Sequence, residues 1–528
     1  MAQANESAPL LRGEDWEYLA EGGQHVVFKY TASESIQKVL VGQVLRVRKP
    51  SNHSEWTHPL LGSSQFLREY DLNVNRVLYS NASDFFQQPT YCTLDEGFLV
   101  DLTRIVKLQR SSKFKGQPLW GDHVQSEGAG LREVCGQLVW NMCLVQEGVG
   151  CSDDDGAEGK SLTLELKIKG GFPSVSPFLS SSSSQVKRMF GRYQLKQLSD
   201  TGETGSNPLS PMIETHDPRD LFSMDASRIR KSLDHLLEAP KSILRMSIDG
   251  VAIDWKEDRS INGSRTPLEG VDLLSEAFDS TAVTENVVTE VMTAILLQSG
   301  LLTDISAAQK LDFIDIEGAH KVFSHLVTLT GDFREAESKL CESVTQMKDL
   351  LEVLKGVSIE QTGCNDNDNK NEIPEFLKAL GMLQSSSATP CEDERSVVDS
   401  YLRSLGIHEC CVLLNLWLIS LAAKDFSIVV TFKVERSSAQ SSKYNFERVG
   451  DRWPPVSSRA SGGAHGRMEL AGMPENQYRS FKKPRKISVC YASCVIDTGY
   501  KDPSKCWGKL EGETRLCEAV SCLMSSPA

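Results

Sequence analysis

The stretch Leu162-Thr163-Leu164-Glu165-Leu166-Lys167-Ile168-Lys169-Gly170-Gly171-Phe172 alternates strictly before its glycine pair. A period of two puts Leu164, Leu166 and Ile168 on one face of a strand and Glu165, Lys167 and Lys169 on the other. Such a strand is half-buried, and its charged face looks into water or into a polar site. Gly170-Gly171 ends the run. The serine run Ser180 to Ser184 reads as a connector, and a helical pattern follows from Gln185 to Lys196. On that helix Arg188, Arg192 and Lys196 repeat every four residues, which predicts one cationic stripe. A solvated sheet face and a solvated helix face satisfy the same patterns.

Working outward, residues Trp16 to Val47 read as strand, glycine turn, strand, strand, with Glu21-Gly22-Gly23 at the turn. Helical patterns are expected at Phe66 to Leu78, Gly130 to Leu138 and Ser227 to Leu237. More follow between Val283 and Leu326, broken near Gly300, and from Ser396 to Leu405. An apolar helix, Val412 to Ala423, runs into a strand from Ile428 to Val434, and a second strand spans Ile487 to Ile496. The polar residues between those strands, rich in Ser, Gly, Arg and Pro, read as a disordered hairpin insertion over 436–485, with another near 360–395.

The chain has 528 residues, two to four times a single domain, so a large enzyme or a multidomain chain is expected. Its 57 Lys and Arg against 71 Asp and Glu give a net charge of -14, which repels nucleic acid and acidic membranes unless a local basic cleft overrides it. No apolar run approaches the roughly 20 residues needed to span a bilayer, so membrane insertion is not expected. The amino terminus has no apolar core flanked by positive charge, and an intracellular chain, cytoplasmic or nuclear, is expected. The 14 cysteines contain no CxxC, and they read as core thiols.

Three constellations bear on chemistry. Glu21-Gly22-Gly23 is a turn whose amides can approach a phosphate, and Arg46 and Arg48 share a face of the following strand; a plain hairpin turn looks the same. The face of Glu165, Lys167 and Lys169 is the second. The third is topological: if the strands 428–434 and 487–496 pair as a hairpin, Asp425 and Asp497 come to one sheet edge, with Lys501 and Lys505 just beyond. Two carboxylates there suit phosphoryl transfer, one accepting a hydroxyl proton and one holding Mg²⁺; capping and turn aspartates would occupy the same positions.

In this order the segments resemble the inositol-pentakisphosphate 2-kinases. The resemblance rests on Asp15-Trp16-Glu17-Tyr18 through Glu21-Gly22-Gly23, Val44-Leu45-Arg46, Asn141, and the run Glu165 to Phe172, which is similar to the family's Glu-Ile-Lys-Pro-Lys-Cys-Gly-Phe. It continues with Asp217-Pro218-Arg219-Asp220-Leu221-Phe222-Ser223, Gln309-Lys310-Leu311-Asp312, Asp315-Ile316-Glu317-Gly318, Ala423-Lys424-Asp425-Phe426-Ser427-Ile428, and Ile496-Asp497 with Lys501. It implies an α+β, two-lobed inositol polyphosphate kinase fold: an antiparallel-sheet N-lobe over 1–160 that binds nucleotide, and an enlarged, mostly helical C-lobe with a small sheet over 161–528. The implied activity is transfer of phosphate from ATP to the 2-hydroxyl of inositol 1,3,4,5,6-pentakisphosphate, giving inositol hexakisphosphate, by a monomer.

Residue by residue, the resemblance implies Asp425 as the base, Lys167 and Lys169 bridging transferred and substrate phosphates, and Glu21, Gly22, Gly23, Arg46, Asn141 and Glu165 at the nucleotide. Asp497 would hold Mg²⁺. Arg188, Arg192, Lys196, Lys501 and Lys505 would grip the inositol phosphates. The chain departs from the family at Gln117, where an Arg is common before Pro-Leu-Trp, at Ser242-Ile243, where paired asparagines stand, and at Trp507, where tyrosines stand. The plant members' zinc-ligand cysteines are absent. A non-catalytic inositol-phosphate scaffold or sensor is the alternative, against which both aspartates argue. A protein kinase is disfavoured, since no His-Arg-Asp or Asp-Phe-Gly occurs.

Overall fold

Alternating burial on the first strands sets the architecture: Val26, Phe28 and Tyr30 face inward with half-buried residues between them. The computed structural model describes residues 12–21, 25–32, 40, 43–49, 64–86, 89–117, 119–120, 122, 134–140, 161–202, 216–238, 243–248, 251–252, 285–298, 300–356, 373–386, 392–435, 464–470, 487–496, 501 and 509–525. Strands β1 (Trp16–Glu21), β2 (His25–Tyr30), β3 (Gln43–Arg48), β4 (Thr90–Leu94) and β5 (Val134–Trp140) form a five-stranded antiparallel sheet in the order β1-β2-β3-β5-β4. Between β3 and β4 in the chain lies helix α1 (Ser64–Tyr70), extended by a π turn. Helix α2 (Glu96–Gln109) starts where Asp95 accepts the amide of Phe98, and lays Phe98, Leu99, Leu102 and Val106 on the sheet. Each such side chain contributes about 1.5–3 kcal/mol of burial.

β5 corrects the helix expected over Gly130 to Leu138. The apolar spacing there is compatible with a helix, but Leu138-Val139-Trp140 extend it as a strand between β3 and β4. Gly136 is required at that place, since a Cβ would stand 2.7 Å from a methyl of Leu45.

The second sheet is larger. β6 (Ser161–Lys167), β7 (Leu244–Ile248), β8 (Val251–Ala252), β9 (Ser427–Glu435), β10 (Ala464–Leu470) and β11 (Ile487–Ile496) run in the order β10-β11-β9-β6-β7-β8, every pair antiparallel. The expected hairpin pairing is present, with Ser427 opposite Ile496. Strand β10 lies inside the stretch 436–485 expected to be a disordered insertion, and pairs along its length with β11.

Around this sheet stand α3 (Ser181–Met189), α4 (Arg192–Gly202), α5 (Ala226–Glu238), α6 (Glu285–Gln298), α7 (Leu301–Gln309), α8 (Asp315–Thr330), α9 (Phe333–Glu342), α10 (Met347–Gly356), α11 (Glu375–Ser386), α12 (Glu392–Ser404), α13 (Ile407–Ala423) and α14 (Leu510–Ser525). Helix α11 and the start of α12 lie inside the other expected insertion, near 360–395, and Leu377 and Leu380 of α11 are buried. Helix α13 is apolar all round because it runs through the core, and its Asn415 is satisfied by the carbonyl of Leu340 and the hydroxyl of Ser343. Cys410 and Cys411 are buried there with thiols pushed up to about 12 by burial, as core thiols should be. Among the described residues no single helix is long and apolar enough to cross a membrane.

Helix α1 packs into the second core rather than the first: Phe66, Tyr70, Val74 and Leu78 join Leu162, Leu166 and Phe426. The C-terminal α14 docks Cys517 and Val520 on Val186, Leu195 and Leu198 of α3 and α4.

Candidate functional site

The charged edge of β6 leads into the site. Leu164, Leu166 and Ile168 are buried, whereas Glu165, Lys167 and Lys169 are half-exposed, as the alternation requires. Past the end of β6 the chain stays clamped: the amide of Lys167 donates to Ile243 and that of Ile168 to Phe426. Ile243, one of the two residues of the Ser242-Ile243 departure, is thus a core residue, fully buried, that contributes its carbonyl to this clamp. The Glu165 carboxylate accepts the Ser427 hydroxyl at 2.9 Å, with Arg245 3.6 Å from its other oxygen.

Asp425 sits in the turn between α13 and β9, where its amide caps the helix on the carbonyl of Ala422. Its two oxygens meet two cations, Lys169 at 3.7 Å and Lys501 at 3.4 Å. Burial alone would raise the Asp425 carboxyl, but Lys501, Lys169 and Lys509 outweigh it and hold the group below the usual carboxylate range. Burial lowers the Lys169 ammonium, with Lys167 and Lys501 adding to that and Asp425 opposing it. Asp497 lies outside the described residues; the preceding Ile496 is paired with Ser427, two residues from Asp425.

A turn between α7 and α8 braces this pair from below. The side-chain amide of the buried Gln309 donates to the carbonyls of Lys169 and Ala423 and accepts the amide of Gly171. Lys424 is turned to Asp312, whose other oxygen accepts the amide of Asp315. Gly171 must lack a side chain, since a Cβ there would stand 2.3 Å from the ring of Phe222. That ring is held in place because Asp217 caps the one-turn helix Pro218–Leu221.

The basic segment is not one continuous stripe. It breaks at Phe190-Gly191, and the Gln194 side chain accepts the amide of Gly191 to open α4, so Arg188 belongs to α3 while Arg192 and Lys196 belong to α4. The serine run is not a connector either. Ser181–Ser184 form the first turn of α3, anchored where Glu317 accepts the Ser180 amide and the Ser183 hydroxyl. The cation absent from the expected site is Lys187. It is buried among Asp315 at 2.7 Å, Glu317 at 3.1 Å and Glu513 at 2.9 Å, and these carboxylates hold its ammonium well above the usual range despite burial. Asp315, in the left-handed region at φ 56°, is raised to about 6 by burial, with Lys187 opposing and Glu513 and Asp312 adding.

In the N-terminal sheet, the Glu21 side chain is fully buried and its carboxylate is bonded to Lys49 and Arg110, each at 2.5 Å. Burial would raise that carboxyl, and the two cations hold it below its usual range. Gln117 joins this cluster, accepting from Lys49 at 3.2 Å, and it is not among the residues that line the cleft below. Arg46 lies mid-strand on β3, opposite Val27 and Gln137, half-exposed on the same side as Arg48.

These elements enclose a cleft of about 1810 Å³ lined by ten Lys and Arg side chains against four carboxylates. Lys169, Arg188, Arg192, Lys196 and Asp425 line it, with Lys310, Lys424 and Lys509, whereas Lys167 and Lys501 are not among its lining residues. Lys310 is also set 5.0 Å over the ring of Phe172. The cleft is cationic inside a chain of net charge -14, which is the local override that a polyanionic ligand requires. Gly22, Gly23, Asn141, Ser242, Asp497, Lys505 and Trp507 lie outside the described residues. The model of the family described as inositol-pentakisphosphate 2-kinase matches residues 18–513.

The chain belongs to the inositol-pentakisphosphate 2-kinase family. It is 22% identical over 453 residues to an inositol-pentakisphosphate 2-kinase of Oryza sativa subsp. indica, covering 82% of this chain and 84% of the relative. It is 22% identical over 372 residues to the inositol-pentakisphosphate 2-kinase of Arabidopsis thaliana, covering 66% and 78%. Over 225 residues it is 28% identical to that of Cryptococcus neoformans, covering 42% and 46%. As a kinase family, it implies ATP as phosphoryl donor. Several segments that carried the resemblance are architectural here: Asp217 caps a helix, Gln309 binds three backbone groups, and Asp315 and Glu317 cage Lys187.

Proposed function

We propose that the protein transfers the terminal phosphoryl group of ATP to the 2-hydroxyl of inositol 1,3,4,5,6-pentakisphosphate, forming inositol hexakisphosphate. The observation that carries this reading is Asp425, held between Lys169 and Lys501 on the wall of a cationic cleft in an acidic chain. Asp425 orients the acceptor hydroxyl and takes its proton. Held below the usual carboxylate range it is a weak base, which suits a loose transition state in which the proton leaves late, after the bond from phosphorus to the leaving ADP has largely broken. The new bond joins the inositol oxygen to phosphorus.

Lys167 and Lys169 bridge transferred and substrate phosphates in this reading. Arg188, Arg192, Lys196, Lys501 and Lys505 hold the remaining phosphates, and Glu21, Gly22, Gly23, Arg46, Asn141 and Glu165 form the nucleotide side. Exposed ion pairs contribute about 0–1 kcal/mol each, so tight binding needs the partial desolvation that the cleft provides. Asp497 is a hard oxygen donor of the kind Mg²⁺ takes. Bound Mg²⁺ would neutralise charge on the transferred phosphoryl group. A monomeric, intracellular enzyme is part of the same proposal.

The test is an assay of purified protein with Mg-ATP and a panel of inositol phosphates, the products resolved by ring position. Phosphate appearing at the 2-position of the pentakisphosphate supports the reading. Tight inositide binding without turnover would replace it with a scaffold or sensor.

A further inference from the structure

Gln309 lines the cleft, yet its side-chain amide is committed to backbone. Its amide spends three bonds on backbone from two distant segments: it donates to Lys169 at 3.3 Å and to Ala423 at 3.2 Å, and accepts from Gly171 at 3.0 Å. Its own carbonyl accepts the Ser420 hydroxyl at 2.7 Å. The residue is 1% exposed, so each bond is made out of water, and each group would be orphaned without it. One of the tethered carbonyls belongs to Lys169 itself, and the other to the residue two before Asp425. The main chains that carry both partners of the pair are therefore tied on one side by the Ile168–Phe426 backbone bond and on the other by this one amide.

We propose that Gln309 is a positioning residue for phosphoryl transfer, fixing the backbone of Lys169 relative to that of Asp425 so that the ammonium stays opposite the carboxylate. The inference rests on the proposed role of Asp425 as base. The Lys169 to Asp425 separation, 3.7 Å, is already near the limit of an ion pair, so an ångström of slack separates them. The other ties nearby are the Ile168 amide on the Phe426 carbonyl, one residue outside each partner, and the ion pair itself; Lys424 is committed to Asp312, so Gln309 is the brace on the inner side of the pair. The charged groups facing Asp425 are Lys169 from the end of β6, and Lys501 and Lys509 from the segment before α14. Lys167 stands behind Lys169.

The test compares Gln309→Leu, which keeps volume and removes all three bonds, with Gln309→Asn, which keeps the amide but withdraws it by one methylene. Asp425→Asn is the reference. Loss of the brace is expected to lower kcat about 10- to 100-fold. KM for Mg-ATP should stay within about twofold, because the misplaced groups are on the acceptor side. The acid limb of the kcat profile should move to higher pH, since Asp425 loses the influence of Lys169. A merely structural glutamine would lower the melting temperature while leaving kcat per folded enzyme and the pH profile unchanged, and that result overturns the inference. If the leucine variant does not fold, the asparagine variant must show the same three changes at smaller size, and wild-type values in it overturn the inference equally. Failure of the base reading shows elsewhere, as full turnover in Asp425→Asn.

Discussion

Lys169 and Asp425, one at the end of the strand β6 and the other at the end of helix α13, face each other at 3.7 Å across the floor of the cleft. Neither is placed by its neighbours in sequence. Their approach depends on β6 and β9 being paired, with Lys167 opposite Ser427, and on the glutamine beneath them. An acceptor hydroxyl bound there would meet a carboxylate and a cation fixed by the same frame.

Asp425→Asn is expected to remove nearly all turnover while the pentakisphosphate still binds. The amide keeps the shape of the side chain but cannot take a proton, and loss of a general base lowers rate by about 10²–10⁴. It also removes a negative charge beside Lys169 and Lys501, so binding of a polyanion should tighten. Calorimetry alongside turnover checks both parts, and a wild-type kcat would exclude Asp425 as base.

Lys501→Met tests the electrostatics of the same carboxylate. Lys501 contributes most to holding Asp425 low, ahead of Lys169 and Lys509, while burial works against all three. Without it the carboxyl rises, so the protonated, inactive form persists to higher pH and the acid limb of kcat moves up. Wild-type enzyme should show no acid limb from Asp425 above the ordinary value of 3.8. An unmoved limb in the variant would mean that the limb belongs to another group.

Much of this frame can be read in the chain itself. The period-two run from Leu162 to Lys169 places three charged groups on one face, and the pairing of the last two long strands brings position 425 beside 496. What the chain conceals is contact between segments far apart. Lys187 looks like one more cation in a basic helix, yet the groups that bury it come from the start of α8 and from α14. The spacing of Arg188, Arg192 and Lys196 runs on across Gly191, so the helix break is invisible to periodicity and shows only in the Gln194 cap. The serines 180–184 have the composition of a linker, and only Glu317 makes them a helix start.

Removing residues 436–485 looks harmless by composition, and the structure reverses that expectation. Strand β10, residues 464–470, pairs at seven positions with β11, whose far end delivers the chain to Asp497. Deleting the whole stretch makes β11 a bare edge strand next to the site, a position prone to slippage and association. The full deletion is expected to melt lower and to lose activity, while a deletion confined to 440–460 keeps both. Equal melting temperatures for the full deletion and the wild type would show that β10 contributes nothing to the sheet.

The buried cage of Lys187 yields the last prediction, which is one of stability and its pH dependence. Replacing Lys187 with Met leaves Asp315, Glu317 and Glu513 buried together without their cation, a loss on the order of 3–5 kcal/mol. That is a large share of a total stability of about 5–15 kcal/mol. In wild type, Glu317 lies below its usual value because Lys187 and its hydrogen bonds outweigh burial. In the variant, burial and mutual repulsion act alone: Glu317 rises above its unfolded value, and Asp315, already raised to about 6 in wild type, rises further. A carboxyl raised in the folded state destabilises it at pH above that raised value, and the penalty fades as pH falls and the group takes a proton. The Lys187 ammonium is itself raised above 10.5, so wild type keeps this contribution through neutral pH and loses it only in strong alkali. The gap in melting temperature between Lys187→Met and wild type is therefore expected to be wide at pH 8 and narrower at pH 5. Thermal melts across that range decide the matter, because a gap independent of pH would mean that the three carboxylates do not depend on Lys187 for their charge.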